Sequence, residues 1–269
     1  MKTIYRIFAL GIIISGAASC QKVINVKLNS ADQKYVIEGE VNDGPGPYSV
    51  VVSRTKAFTE NNSFDQVGGA EVIITDKTAG ISDTLDETAP GLYQTSILAG
   101  VPGHTYVLSV RSGGQTFTAT SAMPAQVVSI DTLYTRPSDF GGDNIFMIAQ
   151  YRDPVGAGNY YRARQWVNDS LVKGSRVRSD YATDGQTYKS QLSYEADEES
   201  GNPKIDIGDR ISAELQCVNK DVYDYYRTLR DVTGENSATP ANPLSNVTGG
   251  ALGIFNTCTS RKKSGIAAF

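Results

Sequence analysis

The first residue to test for catalytic chemistry is His104, the one histidine of the chain. A Ser-His-Asp or Cys-His nucleophilic site needs an imidazole as its base, so His104 would have to supply it. The residue lies in a Pro-Gly-His-Thr-Tyr sequence, where a turn leads into a strand, and we interpret it as a hydrogen-bonded structural residue. The sequence contains neither a phosphate-binding P-loop nor a strand-linked dinucleotide fingerprint. We therefore predict a protein that is not an enzyme and uses no cofactor.

A group of carboxylates in the second half offers oxygen ligands of the kind that calcium binds. The group consists of Glu195, Asp197, Glu198, Glu199, Asp206 and Asp209. Its spacing fits no known calcium loop, so we interpret it as solvated charge in a connecting segment and predict no metal site. A glycosidase would need two carboxylates that face each other across a cleft, and the sequence neither shows nor excludes such a pair.

Cys20 offers a different kind of chemistry, because it follows a segment that is typical of export. Lys2 and Arg6 are followed by a short apolar run and then by Ala17-Ala18-Ser19, the layout of a signal peptide. The apolar run is too short to span a membrane, which takes about 20 residues. A cysteine directly after small residues resembles a bacterial lipobox. This resemblance implies cleavage before Cys20 and lipidation of its sulfur and amino group, with a chance cysteine after an ordinary signal peptide as the alternative.

Lipidation of Cys20 would leave two cysteines, Cys217 and Cys258, in an exported chain. Both lie near the ends of segments that resemble strands, residues 209–217 and 251–258. A disulfide between them is chemically permitted in an oxidising compartment. The alternative is that both are buried thiols that pack as small hydrophobic side chains.

Aromatic residues are concentrated in the second half, since ten of the fifteen tyrosines follow Pro124. Aromatic side chains are enriched at binding surfaces, but they also suit strand interiors. Our candidates for a binding face are Tyr160, Tyr161, Trp166, Tyr181 and Tyr188.

Short strand patterns bounded by Gly, Pro or Asp follow one another along most of the chain. They predict a mainly β fold: an N-terminal immunoglobulin-like β-sandwich, then a second antiparallel β domain with one short helix. The helix is predicted near 220–231, where apolar residues recur at helical spacing after Asn219 or Asp221 as a cap. The last strand is predicted over 251–257, with an exposed tail from Arg261. The predicted parts are a signal peptide 1–19, a lipidated tether 20–33, a sandwich domain 34–124 and a second β domain 125–269.

The composition excludes some classes of protein. Hydrophobic residues make up 40% of the chain and charged residues 20%, so a packed core is expected. The net charge is −4 with no basic stripe, which argues against a nucleic-acid partner.

An ordered set of motifs identifies a family. The set consists of the export start, Tyr35–Val41, Gly69–Asp76, Pro90–Tyr93, Val101–Tyr106, Asn159–Arg162, Tyr225–Leu229, Pro240–Asn246 and Gly250–Phe255. Together they resemble domain-of-unknown-function family 4249, lipoproteins of Bacteroidota cell envelopes. The resemblance covers nearly the whole mature chain and implies an outer-membrane lipoprotein, commonly encoded beside a TonB-dependent transporter. It also implies that the first half is similar to the sandwich domains found as regulatory modules beside carboxypeptidases.

Three Asp-Ser/Thr-Leu triplets resemble the short O-glycosylation motif of exported proteins from these bacteria. Their hydroxyl residues are Thr84, Thr132 and Ser170. The intact mass of the native mature protein decides this hypothesis, because each attached hexose would add to it.

The sequence thus predicts a non-catalytic binding or accessory lipoprotein that serves a TonB-dependent transporter in nutrient uptake. The alternatives are a structural or adhesive surface lipoprotein without a transport partner and, third in order, a hydrolase that uses carboxylates. Surface-exposed members of this group often carry acidic residues after the lipidated cysteine, and residues 21–25 have none. We expect the body to face the medium, with the periplasmic side as the alternative.

Overall fold

The computed structural model describes residues 33–56, 64–138, 144–174, 176–192, 201–233 and 242–269. These residues are mainly β and include one helix, which confirms the predicted fold class. None of the described helical residues belongs to a helix that is long and apolar enough to cross a membrane.

Eighteen strands and one helix make up the described elements. The strands are β1 Tyr35–Asn42, β2 Ser49–Arg54, β3 Asp65–Gln66, β4 Glu71–Asp76, β5 Ile81–Thr84, β6 Asp86–Ala89, β7 Leu92–Gln94, β8 Thr105–Ser112, β9 Gln115–Ala122, β10 Thr132–Pro137, β11 Ile145–Arg152, β12 Tyr160–Val167, β13 Ser170–Leu171, β14 Arg176–Ser179, β15 Thr187–Leu192, β16 Arg210–Val218, β17 Val247–Thr248 and β18 Leu252–Ile266. The helix, α1, is Lys220–Thr233.

The first half is a sandwich of two sheets. Strands β1, β2, β7 and β6 form one sheet, and β17, β9, β8, β4 and β5 form the other in that order. Burial alternates along β1 and β9, so every second side chain enters the space between the sheets. Tyr35 of β1 and Phe117 of β9 meet there with their ring centroids 4.8 Å apart. The alternating sequence thus places one face of each strand in a shared hydrophobic core.

The second half is also built from two facing sheets. Strands β12, β16 and the end of β18 form one sheet, extended by β13 and β14, and β10, β11 and β15 form the other. Residues from both sheets share a second hydrophobic cluster, which includes Tyr151 and Leu192 on one side and Tyr161 and Leu215 on the other. In the described residues β14 and β15 are edge strands, so the sandwich has an open side between them.

The long strand β18 connects the two halves. Its residues 252–258 pair in parallel with β1, and residues 259–266 pair antiparallel with β16. The result is one ten-stranded sheet that runs through both halves, and residues 33–269 form one compact unit. The first hydrophobic cluster ends at Met123 along the first half but includes Val247, Ala251 and Phe255 as well, and the ten-stranded sheet continues across Pro124. The predicted boundary there stays a prediction.

Most residues of the predicted exposed tail are indeed exposed, but they do not form a tail, because β18 extends to Ile266 and Ala267 is buried. Pairing with β16 uses the backbone of Arg261, Lys262 and Lys263, while their charged side chains reach toward solvent. The basic side chains made this segment look like a solvent-exposed tail, although its backbone pairs within the sheet.

Helix α1 begins as predicted after Asn219, whose side-chain oxygen accepts a hydrogen bond from the Val222 backbone N–H at 3.0 Å. Val222 and Tyr225 pack against Ile254 and Cys258, which lie on the outer face of the large sheet. The helix thus covers the part of that face where β18 passes from one half to the other.

Candidate binding cleft

A cleft lies at the open side of the second sandwich, between the edge strands β14 and β15. Its volume is about 360 Å³, which falls in the range of about 300–1,000 Å³ that small-molecule sites occupy. The lining residues are Tyr151, Tyr161, Ala163, Arg176, Val177, Arg178, Tyr188, Lys189, Ser190, Gln191 and Leu215. This set includes three cations and three tyrosines, and no carboxylate is among the described lining residues.

The pairing of β14 with β12 turns two arginines toward the interior. Arg178 lies opposite Tyr161, and Arg176 lies opposite Ala163. Directly opposed residues of an antiparallel pair project from the same face. Since Tyr161 and Ala163 belong to the second hydrophobic cluster, Arg176 and Arg178 project from the core-facing side of the sheet.

Arg178 is held in place by two contacts. Its guanidinium carbon lies 3.2 Å from the ring centroid of Tyr188, and its Nη2 donates a hydrogen bond of 2.7 Å to Thr183 Oγ1. Its Nη1 is buried and has no hydrogen-bond partner among the described residues. Most buried polar groups in proteins are hydrogen-bonded, so an unpartnered donor in a cavity wall is a feature that a ligand can satisfy.

Three tyrosines form a continuous wall beside Arg178. The ring centroids of Tyr161 and Tyr151 are 5.1 Å apart, and those of Tyr151 and Tyr188 are 5.9 Å apart. Burial raises the pKa of Tyr151 to about 12, although the nearby Arg178 guanidinium opposes the shift. Burial and the hydrogen bond from Tyr161 to the Asp153 carboxylate also raise the pKa of Tyr161. Both phenols are therefore neutral near pH 7 and can act as hydrogen-bonding groups.

Three carboxylates tie together the loops at one end of the cleft. Oxygens of Asp153, Asp180 and Asp184 lie within 4.8 Å of one another. Asp180 accepts hydrogen bonds from the Gly158 and Asn159 backbone N–H groups at 2.8 and 2.9 Å. Asp184 accepts a hydrogen bond from the Gly156 backbone N–H at 2.7 Å, and Asp153 accepts one from the Tyr161 hydroxyl. These bonds fasten the loop after β11 to the turn between β14 and β15.

The structure separates the five predicted binding aromatics. Tyr161 and Tyr188 line the cleft, whereas Tyr160 faces the helix and packs on Tyr223 with a centroid distance of 5.1 Å. Trp166 lies on the outer face of β12, where Lys262 Nζ is 3.9 Å from its ring centroid. Tyr181 is 96% exposed in the turn that joins β14 to β15.

Tyr151, Arg176 and Arg178 line the cleft but were not predicted as binding residues from the sequence. The signal for the arginines was their alternation in Arg176-Val177-Arg178, which places both on one face of a strand. Charged residues in a short strand are normally read as solvent-facing, so their inward direction emerged only from the pairing with β12.

The disulfide that the sequence permitted is not formed, because Cys217 and Cys258 are both free and buried. Cys217 lies opposite Thr259 in the β16–β18 pair, so the neighbouring Cys258 projects to the other face. The two thiols accordingly belong to different hydrophobic clusters. Burial raises the pKa of both, as expected of inert structural thiols.

His104 lies in the first sandwich, where its Nδ1 is 2.8 Å from a carboxylate oxygen of Asp76. Burial opposes ionisation of Asp76, but the hydrogen bonds from His104 and from the backbone of Ala79 and Thr78 lower its pKa overall. This arrangement holds the turn after β4 against the start of β8.

Thr84, Thr132 and Ser170, the proposed O-glycosylation residues, are all exposed. Glycosylation at these positions stays a prediction. Cys20, the predicted lipidation site, lies outside the described residues. Of the acidic group, residues 195–199 also lie outside them, whereas Asp206 and Asp209 form a local turn in which Asp209 accepts a hydrogen bond from the Asp206 backbone N–H at 2.7 Å.

Asp83, beside Thr84, is buried and anchors the loop after β7. Its carboxylate accepts backbone hydrogen bonds from Ser96, Ile97 and Leu98 at 2.8–2.9 Å. Burial opposes ionisation, but these bonds lower the pKa of Asp83 overall. Because the folded pKa lies below the unfolded value of about 3.9, the carboxylate stabilises the fold above that pH, and this contribution is lost as the pH falls through the folded pKa.

We expect Asp83→Asn to cost about 1–3 kcal/mol of unfolding free energy near neutral pH, since a neutral amide satisfies fewer of these donors. As the pH is lowered from about 5 toward about 2, the difference between wild type and variant should shrink. Urea unfolding at several pH values measures both effects, with Asp86→Asn at the exposed Asp86 as the control. A difference that stayed constant with pH would contradict the prediction.

The comparisons with known proteins bear on the whole chain. The model of the family described as "Domain of unknown function (DUF4249)" matches residues 21–264. No curated protein matches the chain. Among solved structures, a DUF4785 family protein from Legionella pneumophila subsp. pneumophila str. Philadelphia 1 is similar over 68% of this chain, with 10% sequence identity and a TM-score of 0.25. The match spans about half of that protein, 51% of its length, and is too weak to carry an argument.

Proposed function

Because this chain belongs to the DUF4249 family, as its ordered motifs predicted, we propose that it is a lipid-anchored outer-membrane protein that binds a ligand without catalysing a reaction. In this proposal Cys20 carries the acyl chains, and the β body faces the medium. The protein hands its ligand to a TonB-dependent transporter, the partner that the family resemblance implies.

The observation that carries the binding role is the cleft between β14 and β15. It combines a cavity of about 360 Å³ with the half-buried Arg178, the exposed Arg176 and a wall of tyrosines. Concave sites in which aromatic side chains meet a few converging polar groups are typical of ligand sites. The arrangement favours binding over an adhesive role, because adhesion needs no cleft with converging polar groups.

The turn between β14 and β15 supports the idea of a partner near the cleft. Tyr181 is 96% exposed on this turn, whose ends lead into the two strands that flank the cleft. Exposed aromatic side chains are frequent anchors of protein interfaces. A transporter that docked on Tyr181 would be next to the bound ligand.

The test is affinity purification of the tagged, lipidated protein from gently solubilised native membranes, with mass spectrometry of the proteins that accompany it. We expect a TonB-dependent transporter in stoichiometric amount. The matched control is Cys20→Ala, which should leave the membrane fraction and lose the transporter, since anchoring depends on the acyl chains of this residue.

Two results would contradict the proposal. If the lipidated protein remained in the outer membrane but brought down no transporter, a structural or adhesive role would replace transport. If Cys20→Ala remained in the membrane fraction as wild type does, the lipid anchor would be wrong.

A further inference from the structure

We propose that the cleft between β14 and β15 binds a small organic monocarboxylate, whose carboxylate group pairs with the guanidinium of Arg178. This inference rests on the proposed binding function and names the chemical class of its ligand. It depends on three features of the cleft: a half-buried arginine without an anion, a wall of tyrosine rings, and nearby carboxylates that limit the charge of the ligand.

Arg178 is a half-buried cation for which no described carboxylate provides an ion pair. Its Nη2 donates to Thr183, and the face of its guanidinium group lies over the ring of Tyr188. Its Nη1 remains buried without an acceptor. Burying a cation without a partner is unfavourable, and a guanidinium matches the planar oxygens of a carboxylate. A carboxylate on Nη1 would supply both the missing acceptor and the missing charge.

The rest of the cleft wall is suited to the body of an organic molecule. Tyr151 and Tyr188 present aromatic rings, and Ser190 adds a small polar residue on the same inward face of β15. The phenol of Tyr151 stays neutral because burial raises its pKa to about 12. The wall thus offers ring surface and uncharged hydrogen-bonding groups beside the half-buried Arg178, while Arg176 and Lys189 line the cleft as exposed cations.

The nearby acidic groups favour a monoanion over a phosphate. Tyr161 lines the cleft and donates its hydroxyl to Asp153, whose fully buried carboxylate lies one hydrogen bond from the cavity. Asp180 lies close to Asp153. A ligand with two negative charges would be repelled by these groups more strongly than a monocarboxylate, since charges interact more strongly away from water.

The experiment compares each carboxylate with its neutral amide. The full mature chain in detergent is titrated by calorimetry with glucuronate and glucuronamide, and with benzoate and benzamide. At least one carboxylate should bind at least tenfold more tightly than its amide, and Arg178→Met should lower that affinity at least tenfold. Arg111→Met is the matched control, because Arg111 lies on β8 in the first sandwich and forms an exposed ion pair with Glu71.

Stability separates a binding role of Arg178 from a structural one. If Arg178 serves a ligand, Arg178→Met should unfold at close to the wild-type urea concentration, because removal of a buried unpaired donor offsets the loss of the Thr183 and Tyr188 contacts. Should that variant fail to fold, Arg178→Gln keeps a hydrogen-bond donor without the charge and should also lose the preference for carboxylates.

Several outcomes would overturn the inference. These are equal affinity for acids and amides, carboxylate binding that survives loss of the Arg178 charge, binding of inorganic phosphate but of no carboxylate, and no binding at all. Because the calorimetry uses the isolated protein, these results are independent of whether a transporter co-purifies. The ligand class and the transport partner can therefore fail separately.

Discussion

Gly253→Ala should lower the free energy of unfolding by about 3 kcal/mol or more, or prevent folding. Gly253 pairs with Ile37 where β18 runs parallel to β1. Its φ is +109°, and a Cβ atom at this position would lie 2.0 Å from the backbone oxygen of Ile37. Both the backbone conformation and the distance between the strands therefore exclude a side chain.

The measurement is urea unfolding followed by circular dichroism, and Gly250→Ala is the matched control. Gly250 lies three residues earlier with a φ of +89°, but no atom lies within 4 Å of its added Cβ. Its substitution should cost only about 1–2 kcal/mol, from backbone strain alone. If the two variants were equally destabilised, the close approach of β1 and β18 would not be what requires glycine at position 253.

The longer strands of the first half are visible in the sequence because they are half buried. Tyr35–Asn42 and Gln115–Ala122 alternate between core and solvent, and period-two patterns of this kind are visible in one sequence. Strands β5 and β6, Ile81–Thr84 and Asp86–Ala89, show no such pattern, since they contain few apolar residues and are mostly exposed. Edge strands of this composition show no hydrophobic alternation.

The path of β18 could not be predicted from the sequence. Its residues are buried from Gly253 to Thr259 without alternation, because both faces of the sheet are covered there. Its two partners, β1 and β16, lie far away in the sequence. A single sequence contains local periodicity, but it does not show which distant strands pair.

Of the five aromatic residues predicted to bind, only Tyr161 and Tyr188 line the cleft, for a related reason. Tyr160 and Tyr161 are neighbours on a strand, so one faces the helix and the other faces the cleft. Composition could not distinguish them without the register of β12. Arg178 was missed because its inward direction depends on the same register.

A buried polar network on the outer face of the large sheet is expected to contribute strongly to the free energy of unfolding. Arg162 is 7% exposed, and its Nη1 donates hydrogen bonds to Glu40 at 3.1 Å and to Gln216 at 3.2 Å. The ring centroid of Tyr226 on α1 lies 3.9 Å from its guanidinium carbon. Glu40 also accepts a hydrogen bond from Asn256 Nδ2 at 3.1 Å. The network therefore links β1, β12, β16, β18 and the helix.

We expect Arg162→Met to cost about 3 kcal/mol of unfolding free energy, because it removes the buried partner of an ion pair and leaves the charge of Glu40 to Arg164, whose Nη2 lies 3.6 Å away. Glu40→Gln in the same chain should recover most of this loss, since an amide carries no charge. Arg111→Met, which breaks an exposed ion pair with Glu71, should cost less than about 1 kcal/mol.

A double-mutant cycle in urea measures the coupling between Arg162 and Glu40 directly. If the losses from the two single variants simply added, Arg162 would stabilise the protein through its contact with Tyr226 and not through charge. A strong coupling would instead mean that the junction of the two halves depends on a charge pair between β1 and β12. These strands lie on either side of β18 and β16, so neither half could keep this pair without the other.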